Sequence, residues 1–422
     1  MPQSRFTRAL ALTLGLILAG TGGLFAAGAD GLVGLDGRGL VDATESDPEV
    51  VVPPAEAPTV AVRAALDSLL YQYDVVELPL ASLDRQVREG SLDVALQGLL
   101  YRLELEPNDL RGEGYREVLL TDAGPREVDP GPVTTFRGSV EGEEDSVVRL
   151  TATSELFSGY VRTGEQWVFV DPLREYVPDA PADRAVVYRE EDVRPEASGL
   201  CGVTGRLHAV EDAGSDTPRL TPKGHTTLRR LQVATDADGE YYQRYGNPGT
   251  FDRIEGILND VDGIYRRDLN LFISITFQQA WTDPSTDPYT SFDADTTLFE
   301  FRDWWNANRT GTTRDTAHLF SGKDFNGGTV GIAWVGVICN RPDLSYGVSQ
   351  DLSSSFLRTQ LTAHEIGHNL SASHDDEIGC ASCGGFGPIM CSSLQSNGSN
   401  TFSSCSENAI DSHTHNNGSC LD

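Results

Sequence analysis

The sequence predicts a chain in two parts: a β-rich domain over about residues 59–190, then an α+β domain with α/β character over 231–422. Three observations carry this. Stretches such as Ser146–Leu150 and Gln166–Val170 are short, rich in β-formers and bounded by Gly, Asp or Pro. Residues 230–275 read as strand, helix and strand, a β-α-β unit. The run His364-Glu365-Ile366-Gly367-His368 falls on a further predicted helix, about 352–370.

In chain order, residues 1–29 form an export signal. Arg5 and Arg8 precede the apolar stretch Ala9–Ala19, and Ala27-Gly28-Ala29 offers a small-residue cleavage site. The apolar stretch is short and broken by Gly15 and Gly20, which argues against a membrane anchor. Residues 30–58, with Val52-Pro53-Pro54-Ala55, read as an extended linker. The 59–190 region shows no repeat and few residues suited to catalysis. Residues 191–230 are polar and loop-like, with Cys201 near their start and Arg229-Arg230 at their end.

Beyond them, Arg230–Thr235 reads as a strand. Residues 250–267 form an amphipathic helix with Phe251, Ile254, Leu258, Val261 and Tyr265 on one stripe. Leu271–Ile275 is a buried strand, Leu298–Asn308 a second helix, and His318–Phe320 and Thr329–Trp334 are further strands. After the helix at 352–370 the chain reads as loop-rich and disulfide-stapled. His413 and His415 there read as surface residues, and His208, His225 and His318 lack partner spacing.

Composition narrows the function. Net charge is −31, from 63 acidic against 32 basic residues, a surface that repels phosphate backbones and anionic lipid. Nucleic acid and membrane partners are therefore not expected. Only Lys223 and Lys323 are lysines, an arginine bias that points to a GC-rich, bacterial coding sequence. All 7 cysteines follow residue 200; six of them, Cys339, Cys380, Cys383, Cys391, Cys405 and Cys420, suggest three disulfides in an exported chain, with 15 pairings open. Cys201 is left over, hence reactive, intermolecular or a metal ligand.

The chemistry lies in the helical motif. Histidines four apart on a helix share a face, so His364 and His368 reach one ion. His374, six residues on after a chain reversal, completes a three-nitrogen zinc site with a position left for water. Glu365 is placed to take that water's proton as it attacks a carbonyl. A structural zinc site is disfavoured, because such sites are closed by four protein ligands and lean on cysteine.

With those residues in hand, 231–422 resembles the catalytic domain of the adamalysin (reprolysin) branch of metzincin zinc proteases, relatives of the ADAM and snake-venom metalloproteinases. His364–Leu370 followed by His374-Asp375, Gly331–Gly336, Ser345–Val348 and Pro388-Ile389-Met390-Cys391 carry the likeness. The resemblance implies a mixed twisted sheet plus an active-site helix. It implies a methionine turn at Met390 beneath the ligands, a structural hydrogen bond for Asp375, and pairs Cys339–Cys420, Cys380–Cys405 and Cys383–Cys391. The family has glycine where this chain has Ser371, at a turn of positive φ, so serine there costs on the order of 1 kcal/mol; the ADAMTS branch carries asparagine. More weakly, 60–210 is similar to the reprolysin propeptide, through Thr135–Val140 and Phe169–Leu173. Leu200-Cys201-Gly202-Val203-Thr204 resembles the motif whose cysteine fills the open zinc position in the latent form.

The resemblance thus implies a secreted or periplasmic, monomeric zinc endopeptidase made as a zymogen. One catalytic Zn2+ would sit on His364, His368 and His374, with Ca2+ admitted as a further ion although no loop spells a calcium motif. Its own propeptide would inhibit it until cleavage near Arg229-Arg230. Substrates would be extended peptide segments added to the strand at Thr329–Trp334. The alternatives are a catalytically inactive metzincin-fold binding module, against which the full set of ligands and Glu365 argues, and a pappalysin-like or gametolysin-like peptidase, against which His374-Asp375 and the cysteines argue.

Overall fold

Strand pairing divides the chain into two eight-stranded sheets. The computed structural model describes residues 58–194, 199–203, 227–383, 387–394 and 400–422, so the signal, nearly all of the linker, His208 and His225 lie outside the described residues. Sheet one is antiparallel throughout. Its strands are β1 (Asp74–Glu77), β2 (Ser91–Leu96), β3 (Leu99–Pro107), β6 (Thr135–Val140), β7 (Glu143–Ala152), β8 (Phe157–Thr163), β9 (Gln166–Pro172) and β10 (Arg184–Arg189). The β-rich reading passed over two helices, α1 (Val60–Asp67) before β1 and α2 (Leu80–Glu89) between β1 and β2. The second buries Leu80, Leu83 and Val87, a helical spacing present in the sequence.

Sheet two is mixed. Its strands β12 (Arg229–Ala237), β13 (Leu271–Trp281), β14 (Thr316–Ser321) and β16 (Tyr346–Gln350) are parallel, and β15 (Thr329–Ala333) runs antiparallel to β16. Helix α4 (Gly249–Leu269) joins β12 to β13, which is the expected β-α-β unit. Helix α5 begins at Ala294 rather than Leu298 because Asp293 caps it, accepting from the Thr296 amide at 2.9 Å. Helix α3 (Gly239–Tyr245) follows β12, and α6 (Ser355–Asn369) carries the histidine motif.

Two findings correct the reading of the sequence. The segment after the motif is not loop throughout: α7 (Ser404–Asn417) forms there, capped by Ser403. It buries His413, whose Nε2 lies 3.0 Å from the Ile338 carbonyl, so His413 is a core residue. His318 is wholly buried too, with Nε2 2.8 Å from Ser349 Oγ, and burial lowers its pKa to about 3. Nor is the 59–190 region a domain apart. Its hairpin β4 (Glu117–Thr121) and β5 (Gly124–Val128) extends sheet two beyond β13, and one apolar cluster runs from Leu66, Leu119 and Phe169 into α4 and α6.

Glu117 sits at this junction, 2 % exposed, with Tyr115 donating to it at 2.8 Å and Glu255 of α4 beside it. Burial first, and Glu255 as well, raise its pKa to about 7 against the pull of Tyr115 and Arg111. The folded value lies above the unfolded one, so its contribution is full below about pH 4.5 and is lost as pH rises through 7. Thermal melts at several pH values should therefore show wild type losing stability relative to Glu117→Gln between pH 5.5 and 8.5. Parallel curves would rule the coupling out.

Candidate metal centre

Helix α6 is buried along its whole length, so the motif is presented inside the protein rather than on a surface. His364 and Glu365 stand one residue apart and His368 one turn later, and α6 ends in a tight reversal. Ser371 takes φ +82°, in the left-handed region, its amide bonding to the His368 carbonyl at 2.8 Å. Ser371→Gly should relieve that strain and raise unfolding stability by up to about 1 kcal/mol in urea titrations. A loss of stability would mean the hydroxyl contributes more than the turn costs.

The reversal brings His374 Nε2 to 3.2 Å from His368 Nε2. Carbonyls only accept, so His364 Nδ1 at 2.7 Å from the Ile389 oxygen and His368 Nδ1 at 2.7 Å from the Ala372 oxygen each carry the proton. Their Nε2 atoms are then lone pairs. His364 Nε2 is buried with no partner, and burial first, with the His374 charge next, lowers its pKa to about 3. The three ring nitrogens converge on one point.

Cys201 joins them. Its Sγ lies 3.5 Å from His368 Nε2 and 3.8 Å from Glu365 Oε2, and the ligand atoms of Cys201, His364, His368 and His374 all lie within 4.8 Å of one another. A tetrahedral zinc with bonds of about 2.0–2.3 Å spaces its ligands roughly 3.3–3.8 Å apart, so a small inward shift suffices. Burial first, then the Glu365 carboxylate, push the thiol well above its usual pKa, and burial pushes Glu365 well above the carboxylate range. A dication at the centre reverses that logic. The residues fit zinc. Among the described residues no other group of three or more His, Cys, Asp or Glu converges in this way.

The two-residue strand β11 (Leu200–Cys201) delivers the thiol by running parallel to β15, Cys201 level with Gly331. Bonds from the Cys201 amide to Ser392 O at 3.0 Å and from the Gly202 amide to Gly331 O at 2.8 Å hold it. Gly331 itself lies against Glu365: a Cβ there would stand 2.5 Å from Oε1.

Supporting residues sit beneath. Met390 is fully buried, its sulfur 2.8 Å from where a Cβ on Gly367 would be, and its carbonyl accepts from the Asp375 amide at 2.8 Å. Asp375 Oδ1 accepts from Ser403 and Ser406 hydroxyls at 2.6 and 2.9 Å, tying the third histidine's loop to α7. Of the fifteen pairings open to six cysteines, the structure forms Cys339–Cys420, Cys380–Cys405 and Cys383–Cys391. Reading the sequence missed Asn369. Its Nδ2 donates to Trp334 O at 2.8 Å and Tyr346 O at 3.0 Å, and its Oδ1 accepts from Thr316, so it pins α6 to β14, β15 and β16. Its only sequence signal is its place directly after His368.

Residues 227–420 match a reprolysin model described as metallo-peptidase family M12. Over this region the chain is similar to reprolysin-type metallopeptidases. The chain is also similar to the zinc metalloproteinase-disintegrin-like atragin of Naja atra, 31% identical over 320 residues, 72% of this chain and 50% of that relative. The chain thus spans about half that relative's length, and an animal relative lends nothing to the bacterial source inferred from arginine bias. No helix among the described residues is long and apolar enough to cross a membrane.

The matched region begins close to the dibasic pair, which is not an exposed loop. Arg229 and Arg230 open β12; Arg229 donates to Thr414 O at 2.7 Å and to Leu421 O at 3.2 Å, and the Arg230 amide donates to Asp422 O at 2.7 Å. Both arginines tie the strand to the end of the chain. Cleavage at the pair would have to undo this, which removes the sequence argument for maturation there.

Proposed function

We propose that the protein is a secreted zinc endopeptidase made as a latent zymogen, with Cys201 as its lock. The observation that supports this reading is one cluster: Cys201 Sγ among three converging histidine nitrogens, within 4 Å of the Glu365 carboxylate. His364, His368 and His374 would hold zinc. The chemistry zinc supplies there is polarisation of the scissile carbonyl and activation of water.

The chain's own residues do the rest. Glu365 Oε1, buried and without a partner, accepts a proton and returns it to the leaving amine. Strand β15 presents its free edge to an extended segment of substrate by strand addition once β11 leaves, and β11 shows the geometry such a segment can adopt. A thiolate is a better zinc ligand than water, so Cys201 in that place denies the nucleophile its position. Export on residues 1–29, to the medium or a periplasm, and a monomeric state complete the reading.

The test compares zinc content and casein hydrolysis of the full chain, of Cys201→Ala and of Cys201→Ala with Glu365→Ala. Cys201→Ala should raise hydrolysis at least about tenfold, the release of roughly 1.4 kcal/mol of blocking affinity. The double variant should hold zinc and cut nothing. A zinc-loaded Cys201→Ala chain inert on several unfolded proteins would favour the binding module instead.

A further inference from the structure

We propose that residues 58–194 are a permanent subunit of the mature enzyme, and that latency resides in the short piece Gly199–Val203 alone. This rests on the zymogen reading above.

The two pieces of the propeptide are held very differently. Gly199–Val203 is held by a two-residue pairing with β15 and by bonds to Ser392, Gly331 and Leu394, places a thiol among the histidines, and leaves Leu200 half exposed. Its one apolar side chain in the core is Val203, so its departure uncovers little. Residues 58–194 cover much more. Strand β4 pairs in parallel with the end of β13, and just upstream Leu110 and Gly112 exchange backbone bonds with Ile275 at 2.6 and 2.8 Å. Without them the apolar β13 becomes an open sheet edge, with Ile273, Ile275 and Phe277 along it.

Helix α4 is built for contact with sheet one. A Cβ on Gly256 would stand 2.5 Å from Thr151 Oγ1, and one on Gly263 would stand 2.2 Å from the Tyr160 hydroxyl. Between these glycines, buried polar groups cross the junction. Asn108 Nδ2 donates to Asn259 Oδ1 at 2.7 Å, and Arg149 pairs with Asp262 at 3.3 Å. Arg111 pairs with Glu255 at 2.8 Å, and Glu175 grips Arg253 through both oxygens at 2.6 Å. Departure of 58–194 would strip buried Glu255 of both Arg111 and Tyr115, leave Arg253 with only Asp351 at 3.9 Å and Asp262 with Arg266 at 2.7 Å, and bare the apolar cluster shared with α4 and α6. The surface on α4, α6 and the β13 edge therefore has one fitting partner, the cut propeptide itself.

The experiment uses the whole chain with site-specific protease sequences placed at 195–198 and within 204–226. After both cuts the small switch peptide should diffuse away. Residues 58–194 should co-elute with 227–422 at about 1 µM, which requires a Kd well below that. The pair should unfold in a single transition and hydrolyse casein. Elution of 58–194 by itself, with 227–422 keeping its unfolding midpoint and its activity, would overturn the proposal. Co-elution without proteolysis by the zinc-loaded pair would count against the protease reading and leave this one intact.

Discussion

Glu365→Gln in the unlocked Cys201→Ala chain should lower casein hydrolysis by about a hundredfold or more, the usual worth of a positioned general base. The side chain is fully buried, its Oε1 has no hydrogen-bond partner, and the Gly331 backbone closes over it. Glutamine fills the same space and keeps the contact with Gly331, so the fold has no reason to change. It cannot accept a proton. The Nδ1 atoms of His364 and His368 are held by the Ile389 and Ala372 carbonyls rather than by Glu365, so zinc content should stay at one ion per chain, as measured by atomic absorption. A variant that retains more than a third of the activity would remove Glu365 from its assigned role. One that loses zinc would show that the carboxylate helps assemble the site.

The centre was legible because its information is local. His364, Glu365 and His368 are set by helical periodicity, and His374 by a short reversal, so spacing alone brings them together. What escaped reading depends on distant partners. Helix α7 has little apolar content; Ile410, Thr414 and His413 face inward against a segment that Cys339–Cys420 draws close. Nothing in Ser-Asn-Gly-rich sequence announces a buried histidine. The parallel pairing of β4 with β13 joins residues about 160 apart, and no local pattern encodes which strand a hairpin will meet. Alternation in 59–190 correctly indicated strands, but periodicity does not say whose sheet they enter. The dibasic pair misled for a similar reason: charge suggests exposure, while carbonyls of the last turn of the chain accept from Arg229.

Asp171→Ala should destabilise the whole chain by about 3–5 kcal/mol, although Asp171 lies nearly two hundred residues before the motif. Helix α6 begins after Ser354, whose side chain makes no capping bond. Asp171, at the end of β9 and wholly buried, supplies the cap from a distance. It accepts from the Ser355 amide at 3.0 Å and from the Ser355 hydroxyl, and from Tyr176 and Tyr188 hydroxyls, both at 2.7 Å. Arg358 of α6, 4 % exposed, lies 3.7 Å away. Alanine would leave an orphaned amide at the helix start, a buried Tyr176 phenol without its acceptor, and Tyr188 with only Ser354 Oγ at 2.8 Å. The Arg358 guanidinium would keep Glu175 at 3.9 Å as its remaining carboxylate, beside the Leu352 and Ser353 carbonyls it already bonds. Asp171→Asn keeps an acceptor for the amide and one phenol, so it should cost less than alanine, the difference reporting the charge facing Arg358. Urea unfolding of the full chain, with zinc held in excess, reads both. An alanine variant within 1 kcal/mol of wild type would mean that water replaces the carboxylate freely, and the start of the active-site helix would then be independent of the propeptide.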